Sequence, residues 1–305
     1  MSTFSRRAFV ASTAAIVAAR ALPAFAATPY SFQHGTFQVT VVSDGHLVLP
    51  TSFLAPDAPA PEREALLKAA GELGEQYHSP TNVTLLRTAS DLILVDMGSG
   101  DRFMPSAGKL WDNLKAAGID KAKVTKVIFT HGHPDHLWGA IDELDELMIP
   151  DATFFVAGAE WDFWSGDKAT QGLPADRAGF VTGARRNYAA IKDRVKLMKP
   201  GDEIIAGLRI IDTAGHTQGH VSLELAGGDG LIVGGDALTH ALISFQHPEW
   251  RPTADHVPDQ AVATRLKLLD RLATDHSKLI GFHLPYPGVG TAERKDRTYR
   301  FVPTT

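Results

Sequence analysis

The sequence predicts a single α/β domain in which two sheets are packed between layers of helices. The chain has 305 residues, which is enough for one large α/β domain with a sizeable core. Short runs rich in β-branched and aromatic residues alternate with segments of helical spacing. Several of these runs end on a histidine or a carboxylate, at the strand ends where α/β folds build their sites.

Candidate strands share an apolar stretch bounded by turn residues. They are 37–43, 82–87, 92–96, 124–129, 208–212, 231–236 and 278–283. The first is predicted to end at a turn formed by Asp44 and Gly45. Helical spacing predicts one helix over 109–117, which stops at Gly118, and another that opens at Pro258.

Two segments, 51–77 and 165–174, are richer in Pro, Gly and Ala than their surroundings and are predicted to be loop or lid material. The chain contains no low-complexity tract and no short tandem repeat. We therefore expect no second domain.

Three histidines and one aspartate lie within six consecutive positions of the sequence. They are His131, His133, Asp135 and His136. Three imidazoles cannot all point the same way from a regular helix or strand, so this segment is predicted to be a loop around a bound cation. Neutral imidazole and carboxylate oxygen are ligands that zinc, manganese and iron accept. A solvated polar turn is the alternative.

Further potential ligands follow later strands: His216, Asp236 and His283. One such residue alone is ordinarily a hydrogen-bonded turn residue. Four strand ends in order, each with a metal-ligand side chain, predict a metal site. His220 lies four residues after His216, but the glycine before each of them favours a loop over a helical ligand pair.

The pattern Thr-His-x-His-x-Asp-His, Gly-His-Thr-x-Gly-His, Gly-Asp and a late His resembles the signature of the metallo-β-lactamase superfamily. The resemblance spans roughly residues 36–303 and implies a four-layer αββα sandwich with two divalent metal ions, zinc first, with manganese, iron or cobalt as alternatives. It implies one ion held by His131, His133 and His216, and another by Asp135, His136 and His283, with Asp236 bridging both. His220 is interpreted as structural.

Two more carboxylates, Asp44 and Asp96, follow candidate strands. In this superfamily such residues hold site loops, and we expect both to orient a ligand histidine by a hydrogen bond. Asp135 and Asp236 are the predicted catalytic carboxylates. Two ions about 3.5–4 Å apart can share a water and lower its pKa toward about 7, so hydrolysis through a metal-bridging hydroxide is the expected reaction. The chain has no cysteine, which excludes disulfides, thiolate ligands and a thiolate nucleophile.

Within the superfamily, several segments resemble the methyl parathion hydrolase branch and its lactonase-like relatives. They are Ser43–Gly45, Leu94–Gly98, Asp162–Trp164, His283–Gly288 and Tyr299–Pro303. The resemblance implies a small-molecule substrate, such as an aryl phosphotriester, aryl ester or lactone, and a homodimer. It also implies that Phe103, Trp164 and Phe180 line an aromatic pocket over the metals, with Tyr286 near His283. An ordinary core position is the alternative for these aromatic residues.

Other functions of the same fold stay open. They are an acyl-homoserine lactonase, a β-lactamase, a glyoxalase II-type thioesterase and a non-catalytic exported metal-binding protein. The lactonase branch usually carries a tyrosine where this chain has Thr239. Gln218 replaces the proline that usually lies in the turn after His216.

Charge and the amino terminus complete the sequence predictions. A net charge of −5 and a pI near 6.2 give no electrostatic signal for nucleic acid. Arg6 and Arg7 precede an Ala-rich apolar stretch and an Ala-x-Ala end, which predicts a Tat-type signal peptide over 1–27 and a periplasmic or secreted domain over 28–305. A membrane span is not expected, because Arg20 interrupts an apolar run shorter than the about 20 residues required.

Overall fold

The computed structural model describes residues 28–72 and 74–304 of the chain. Within these residues, two seven-stranded mixed sheets pack face to face and helices cover both outer faces. This single-domain αββα sandwich confirms the predicted fold class. The predicted signal peptide lies outside the described residues.

The first sheet follows the order of the chain from one edge to the other. Its strands are β1 (Tyr30–His34), β2 (Phe37–Pro50), β3 (Gln76–Arg87), β4 (Leu92–Val95), β5 (Lys126–Ile128), β6 (Thr153–Ala157) and β7 (Val195–Met198). The pairs from β1 to β4 are antiparallel, and those from β4 to β7 are parallel.

The second sheet also follows chain order. Its strands are β8 (Glu203–Ile205), β9 (Leu208–Asp212), β10 (Val221–Leu225), β11 (Leu231–Val233), β12 (Lys278–Ile280), β13 (Val289–Lys295) and β14 (Thr298–Pro303). Only β11 and β12 are parallel neighbours, and the long helix between them makes the crossover that parallel strands require.

The helices are α1 (Ala60–Ala69), α2 (Leu110–Ala116), α3 (Pro134–Leu137), α4 (Gly158–Ser165), α5 (Asp167–Gly172), α6 (Ala178–Ile191), α7 (Ile243–Gln246) and α8 (Pro258–Asp275). Leu110 of α2 and Tyr188 of α6 pack on the first sheet, and Leu269 of α8 packs on the second. No helix in the described part of the chain is long and apolar enough to cross a membrane.

Strand residues alternate between two cores, as the period of two requires. On β4, Ile93 and Val95 face the second sheet, whereas Leu92 and Leu94 face the helices. All four are buried. Each such side chain contributes about 1.5–3 kcal/mol when it is removed from water. A one-residue slip of β4 would exchange its two sets of side chains between the two cores, so the pattern defines the register.

The predicted end of β2 at Asp44 is wrong, because the strand continues to Pro50 through a bulge. Ser43 pairs with Asn82 and Gly45 pairs with Thr81, so Asp44 is the extra residue. Gly45 has a φ of +107°, a conformation that glycine adopts without strain.

The two segments predicted as loops also contain regular structure. Segment 51–77 includes α1 and the start of β3, and segment 165–174 includes α5. Their amphipathic patterns are weak because these elements are short and largely exposed, apart from Leu67, Ala169 and Tyr77.

Candidate metal centre

The seven predicted ligands follow the ends of four strands, and the predicted loop after β5 contains a one-turn helix. Four follow β5, one follows β9, one follows β11 and one follows β12. All seven side chains are buried, with at most 8% of the residue exposed. The ligands are His131, His133, Asp135, His136, His216, Asp236 and His283. Asp135 and His136 belong to α3, which starts at Pro134, a residue well suited to the first helical position.

The first group of ligand atoms comes from His131, His133, His216 and Asp236, and these atoms lie within 4.8 Å of one another. Nδ1 of His133 is 3.0 Å from Nε2 of His131 and 2.9 Å from Nε2 of His216. Nε2 of His216 is 3.3 Å from Oδ2 of Asp236. Three buried ring nitrogens thus converge on one point with a carboxylate, as tetrahedral zinc ligands do.

The second group consists of Asp135, His136 and His283. Oδ2 of Asp135 is 3.3 Å from Nε2 of His283 and 3.5 Å from Nε2 of His136. Asp236 reaches this group too, with Oδ2 at 3.2 Å from His283 Nε2 and Oδ1 at 3.1 Å from His136 Nε2. Asp236 therefore lies between the two groups, with its oxygens within 3.3 Å of histidine nitrogens of both.

Three buried ligand-type atoms face one another without forming a hydrogen bond of good geometry: Oδ2 of Asp135, Nε2 of His136 and Oδ1 of Asp236. Buried polar atoms are nearly always hydrogen-bonded, so three of them together at one point require another kind of partner. Imidazole and carboxylate form the donor set for borderline divalent ions such as zinc. The residues present therefore fit two divalent metal ions.

Protonation follows from the same crowding. Burial lowers the pKa of His136, but the carboxylates of Asp236, Asp135 and Asp96 outweigh burial and raise that pKa well above its usual value. In His283 the same competition between burial and Asp236 raises the pKa to about 10. The raised pKa values favour the charged imidazolium form of both rings in the metal-free protein. Metal binding must release one proton from each ring, because a ligand histidine is neutral.

Asp96 lies where the sequence predicts it, behind His136. Its Oδ2 accepts a hydrogen bond from Nδ1 of His136 at 2.8 Å, and its Oδ1 accepts one from the Thr130 backbone N–H at 2.8 Å. The Thr130 hydroxyl donates to Oδ2 at 2.9 Å. This carboxylate directs Nε2 of His136 toward the metal centre and ties the end of β4 to the ligand loop after β5.

Asp44 does not orient a histidine, and that prediction is wrong. Its carboxylate accepts backbone N–H groups from Ser99 at 2.8 Å, Gly108 at 3.1 Å and Leu110 at 2.8 Å. Burial raises the pKa of Asp44 to about 6. The bulge in β2 aims this side chain at the loop 99–110, so Asp44 orders one wall of the site.

The sequence did not predict a role for Asp255. This buried carboxylate accepts a hydrogen bond from Nδ1 of His216 at 3.0 Å and pairs with the guanidinium of Arg265 at 2.9 Å. Burial raises its pKa, but the hydrogen bond from His216 and the charge of Arg265 outweigh burial and leave the pKa below its usual value. Asp255 is thus an ionised partner that orients His216.

Glu160 is a second residue that the sequence analysis missed. Its fully buried carboxylate accepts four hydrogen bonds. One comes from the loop that carries His133, one from the indole of Trp164, which packs against His133, and two from the loop that carries His216. The donors are Gly132 N at 2.9 Å, Trp164 Nε1 at 2.6 Å, Thr217 Oγ1 at 2.7 Å and Gly219 N at 2.9 Å. The four-residue spacing of Glu160 and Trp164 on a helix was the only available signal.

The other ligand histidines also have partners on their second nitrogen. Nδ1 of His283 lies 2.8 Å from the Pro80 carbonyl and 3.0 Å from the Ser79 hydroxyl, and Nδ1 of His131 lies 3.1 Å from the Thr130 hydroxyl. Nε2 of His133 lies 2.9 Å from Nε2 of His256.

His220 lies outside both ligand groups. Its Nε2 accepts the backbone N–H of Asp236 at 2.9 Å, and its Nδ1 lies 2.9 Å from the Thr213 hydroxyl. Burial lowers the pKa of His220 to about 3, so the ring is neutral. These contacts agree with the structural interpretation made from the sequence.

A cavity of about 290 Å³ opens onto the metal ligands. Its wall is mainly apolar, with Leu47, Leu49, Phe53, Leu54, Phe103, Met104 and Phe180. The rings of Phe103 and Phe180 meet edge to face at 5.8 Å, and Phe180 lies 6.0 Å from the ring of His133. These two residues occupy the positions that the sequence predicts for them.

Trp164 and Tyr286 do not line this cavity, so their predicted substrate contacts are wrong. Trp164 is 0% exposed, and its indole N–H is bonded to Glu160. The Tyr286 hydroxyl donates to the Thr28 carbonyl at 2.7 Å. Trp164 therefore packs behind His133, and Tyr286 packs against the start of the described chain.

Comparisons with known proteins agree with this geometry. Residues 77–283 match the family described as the metallo-beta-lactamase superfamily. A curated relative, an uncharacterized protein of Mycobacterium leprae, is 27% identical over 160 residues, which cover 50% of this chain and 64% of that protein. The chain thus spans less than two thirds of the length of this relative.

Two solved structures are similar over nearly their whole length. The hydrolase AbOPH, of the beta lactamase superfamily, is 32% identical with a TM-score of 0.84, covering 91% of this chain and 98% of that one. AidC, a dizinc quorum-quenching lactonase in complex with a product, is 25% identical with a TM-score of 0.85, covering 91% and 97%. Together with the two ligand groups, these findings show that the chain belongs to the metallo-beta-lactamase superfamily and is a metal-dependent hydrolase.

Proposed function

We propose that this hydrolase cleaves neutral, largely apolar substrates: lactones, aryl esters and aryl phosphotriesters. The cavity wall carries the proposal, because Phe103, Phe180 and Met104 lie beside the ligands His133 and Asp135. A substrate bound at the metal centre would place its leaving group or acyl portion on these side chains. Apolar pockets with a few convergent polar groups are typical of small-molecule sites.

The polar chemistry comes from a few residues. The residues of the two ligand groups would hold two divalent ions, which would supply an activated water and polarise the carbonyl or phosphoryl oxygen of the substrate. Asp135, whose Oδ2 is buried and makes no other hydrogen bond, would accept a hydrogen bond from that water. Asp236 holds both halves of the centre at a fixed separation, and the aromatic side chains exclude bulk water from it.

Within the lactone class, acyl-homoserine lactones are the specific candidate. The similarity to AidC, whose structure holds an acyl-homoserine product, favours them. Thr239 lines the cavity in place of the tyrosine usual in the lactonase branch. Among the described residues that line the cavity, Arg177 alone has a permanent positive charge, and it donates to the Thr253 carbonyl at 2.6 Å while packing on Phe53.

A substrate panel on zinc-loaded protein tests the proposal. It contains a p-nitrophenyl ester, a diethyl p-nitrophenyl phosphate, hexanoyl-homoserine lactone, nitrocefin and lactoylglutathione. We expect higher kcat/KM for the first three than for the last two. Turnover of nitrocefin or lactoylglutathione above that of all three neutral substrates would replace the proposal. Asp236→Ala should remove every activity, because it disrupts both ligand groups.

Matched variants separate the aryl and aliphatic substrates. Phe103→Leu and Phe180→Leu should lower kcat/KM for the aryl substrates several-fold, because an aromatic contact contributes about 0.5–1.5 kcal/mol beyond area burial. Hexanoyl-homoserine lactone should lose less. Phe301→Leu, which alters the packing of the second sheet away from the cavity, serves as control. Equal losses on all substrates would contradict a stacking role.

We also propose that the chain is exported through its twin-arginine segment and forms a homodimer. Arg6→Lys with Arg7→Lys should leave the precursor in the cytoplasm, because the translocase reads this pair. Mature protein in the periplasm of that variant would contradict the proposal. Light scattering of the purified protein tests the dimer.

A further inference from the structure

His133 requires an acceptor for its outer nitrogen. Its Nδ1 faces the ligand nitrogens of His131 and His216 at 3.0 and 2.9 Å. A metal-binding nitrogen uses its lone pair, so the proton of the neutral ring lies on Nε2. His133 is buried, and its Nε2 lies 2.9 Å from Nε2 of His256. His256 is therefore the acceptor.

The orientation of His256 requires a partner in turn. Because its Nε2 accepts, the proton of its neutral ring lies on Nδ1. Nδ1 lies 3.2 Å from Oε1 of Gln218, which accepts that proton. Gln218 belongs to the same loop as the ligand His216. A chain of two hydrogen bonds thus runs from Gln218 through His256 to His133.

The surroundings hold His256 in place independently of this chain. Its backbone N–H donates to the His216 carbonyl at 2.8 Å, and the next residue, Val257, donates to the Gly215 carbonyl at 3.0 Å. Its ring lies 5.6 Å from the ring of Trp164. The side chain can therefore be exchanged while the backbone keeps its anchors.

The acceptor on His133 differs from those on the other ligand histidines. His136 and His216 donate to carboxylates, and His131 and His283 contact hydroxyl or carbonyl oxygens. Among the ligands in the described residues, His133 alone depends on a neutral nitrogen. Partners of this kind fix the tautomer and ring orientation of a ligand.

We propose that His256 and Gln218 are positioning residues that hold His133 with Nδ1 toward the metal centre. They thereby set the affinity of the ion bound by His131, His133 and His216. The proposal rests on the metal centre and is independent of the substrate proposed above, because metal affinity is measured without substrate.

Two substitutions of His256 separate the hydrogen bond from packing. His256→Leu removes the acceptor, whereas His256→Gln keeps an oxygen near the position of Nε2. Competition with a chromophoric chelator gives the affinity for each of the two zinc ions, and circular dichroism checks the fold. We expect His256→Leu to lower the affinity for one ion about 10–100-fold, the range for lost ligand partners. His256→Gln should restore it nearly to the wild-type value.

Gln218→Leu keeps the His256 ring but removes the acceptor that fixes the His256 tautomer. The zinc affinity of this variant should therefore lie between those of the wild type and His256→Leu. His247→Leu, at a partly exposed histidine beside Glu249, is the control and should bind both ions normally. In zinc-loaded protein with ¹⁵N-labelled histidine, the Nε2–H resonance of His133 should be protected from exchange in the wild type and in His256→Gln, and lost in His256→Leu.

The proposal is overturned if His256→Leu binds both ions as tightly as the wild type, or if His256→Gln is as weak as His256→Leu. An equal loss in the His247→Leu control would overturn it too. If His256→Leu fails to fold, Gln218→Leu is the deciding variant. Unchanged zinc affinity together with an unchanged His133 resonance in Gln218→Leu would overturn the proposal.

Discussion

Replacing Asp255 by asparagine should weaken metal binding and stability together. Asp255 accepts from His216 with one oxygen and from Arg265 with the other, and both side chains of the ion pair are at most 3% exposed. Asparagine keeps the shape of the side chain but has only one oxygen to accept from the two donors, His216 and Arg265. Its amide N–H₂ group must face whichever donor the oxygen does not bind. The variant therefore loses one hydrogen bond and leaves the charge of Arg265 without its carboxylate.

The size of each loss follows from its environment. Loss of a ligand partner costs about 10–100-fold in metal affinity, which is about 1.4–2.7 kcal/mol. Removing one partner of a buried ion pair costs about 3–5 kcal/mol. Arg265 keeps its bonds to the Pro248 and Trp250 carbonyls, so we expect about 3 kcal/mol, the lower end of that range.

Two measurements on the same protein test this prediction. Chelator competition gives zinc affinity, and urea unfolding of the metal-free protein gives the free energy of unfolding. Asp259→Asn is a matched control, because Asp259 pairs with Arg251 at 2.8 Å on the exposed surface. Because solvent screens this exposed pair, its loss should change stability little. Wild-type zinc affinity in Asp255→Asn would refute the role assigned to Asp255, whatever the effect on stability.

Gly132→Ala should lower zinc affinity at least tenfold in the same chelator assay, because its Cβ would overlap the Trp164 indole and displace the ligand loop. Trp164→Phe removes a donor from buried Glu160 and should cost about 1–3 kcal/mol in urea unfolding. Its kcat/KM should change equally for aryl and aliphatic substrates, and a selective loss on aryl substrates would place the ring in the pocket after all. Burial raises the pKa of Asp44 to about 6, so between about pH 4 and 6 the folded state keeps a proton on Asp44 that the unfolded state has released. The stability of the wild type relative to Asp44→Asn should therefore fall as pH rises through this window, by on the order of 3 kcal/mol. A constant difference between pH 4 and 8 would contradict it.

The ligand positions could be predicted because their signal is local. His131 to His136 form a dense run after one strand, and Asp236 and His283 each follow an apolar run that ends the same way. The strands that carry the ligands belong to both sheets and end on the same side of the sandwich, so the position of a ligand after its strand already predicts that the ligands lie together. The fold class followed from the same alternation of elements.

The supporting residues could not be predicted, because their partners are remote in sequence. Asp255 contacts His216 from a position 39 residues away, and Glu160 contacts Gly219 across 59 residues. Apart from the four-residue spacing of Glu160 and Trp164, nothing in the neighbouring sequence distinguishes either carboxylate from a solvated one. The role of Asp44 could not be predicted for a related reason, since a bulge redirects its side chain without any local sequence signal.

Glu160 has a consequence for the order in which the centre assembles. Its carboxylate joins a loop from the first sheet to a loop from the second, and all four of its bonds are made by the protein alone. The relative placement of the two sheets at this end is therefore set before an ion arrives. Zinc then enters a pre-organised centre instead of driving the chain to fold around it, unlike in a zinc finger. Stripped protein should accordingly regain its ions on the timescale of diffusion and proton release, without refolding.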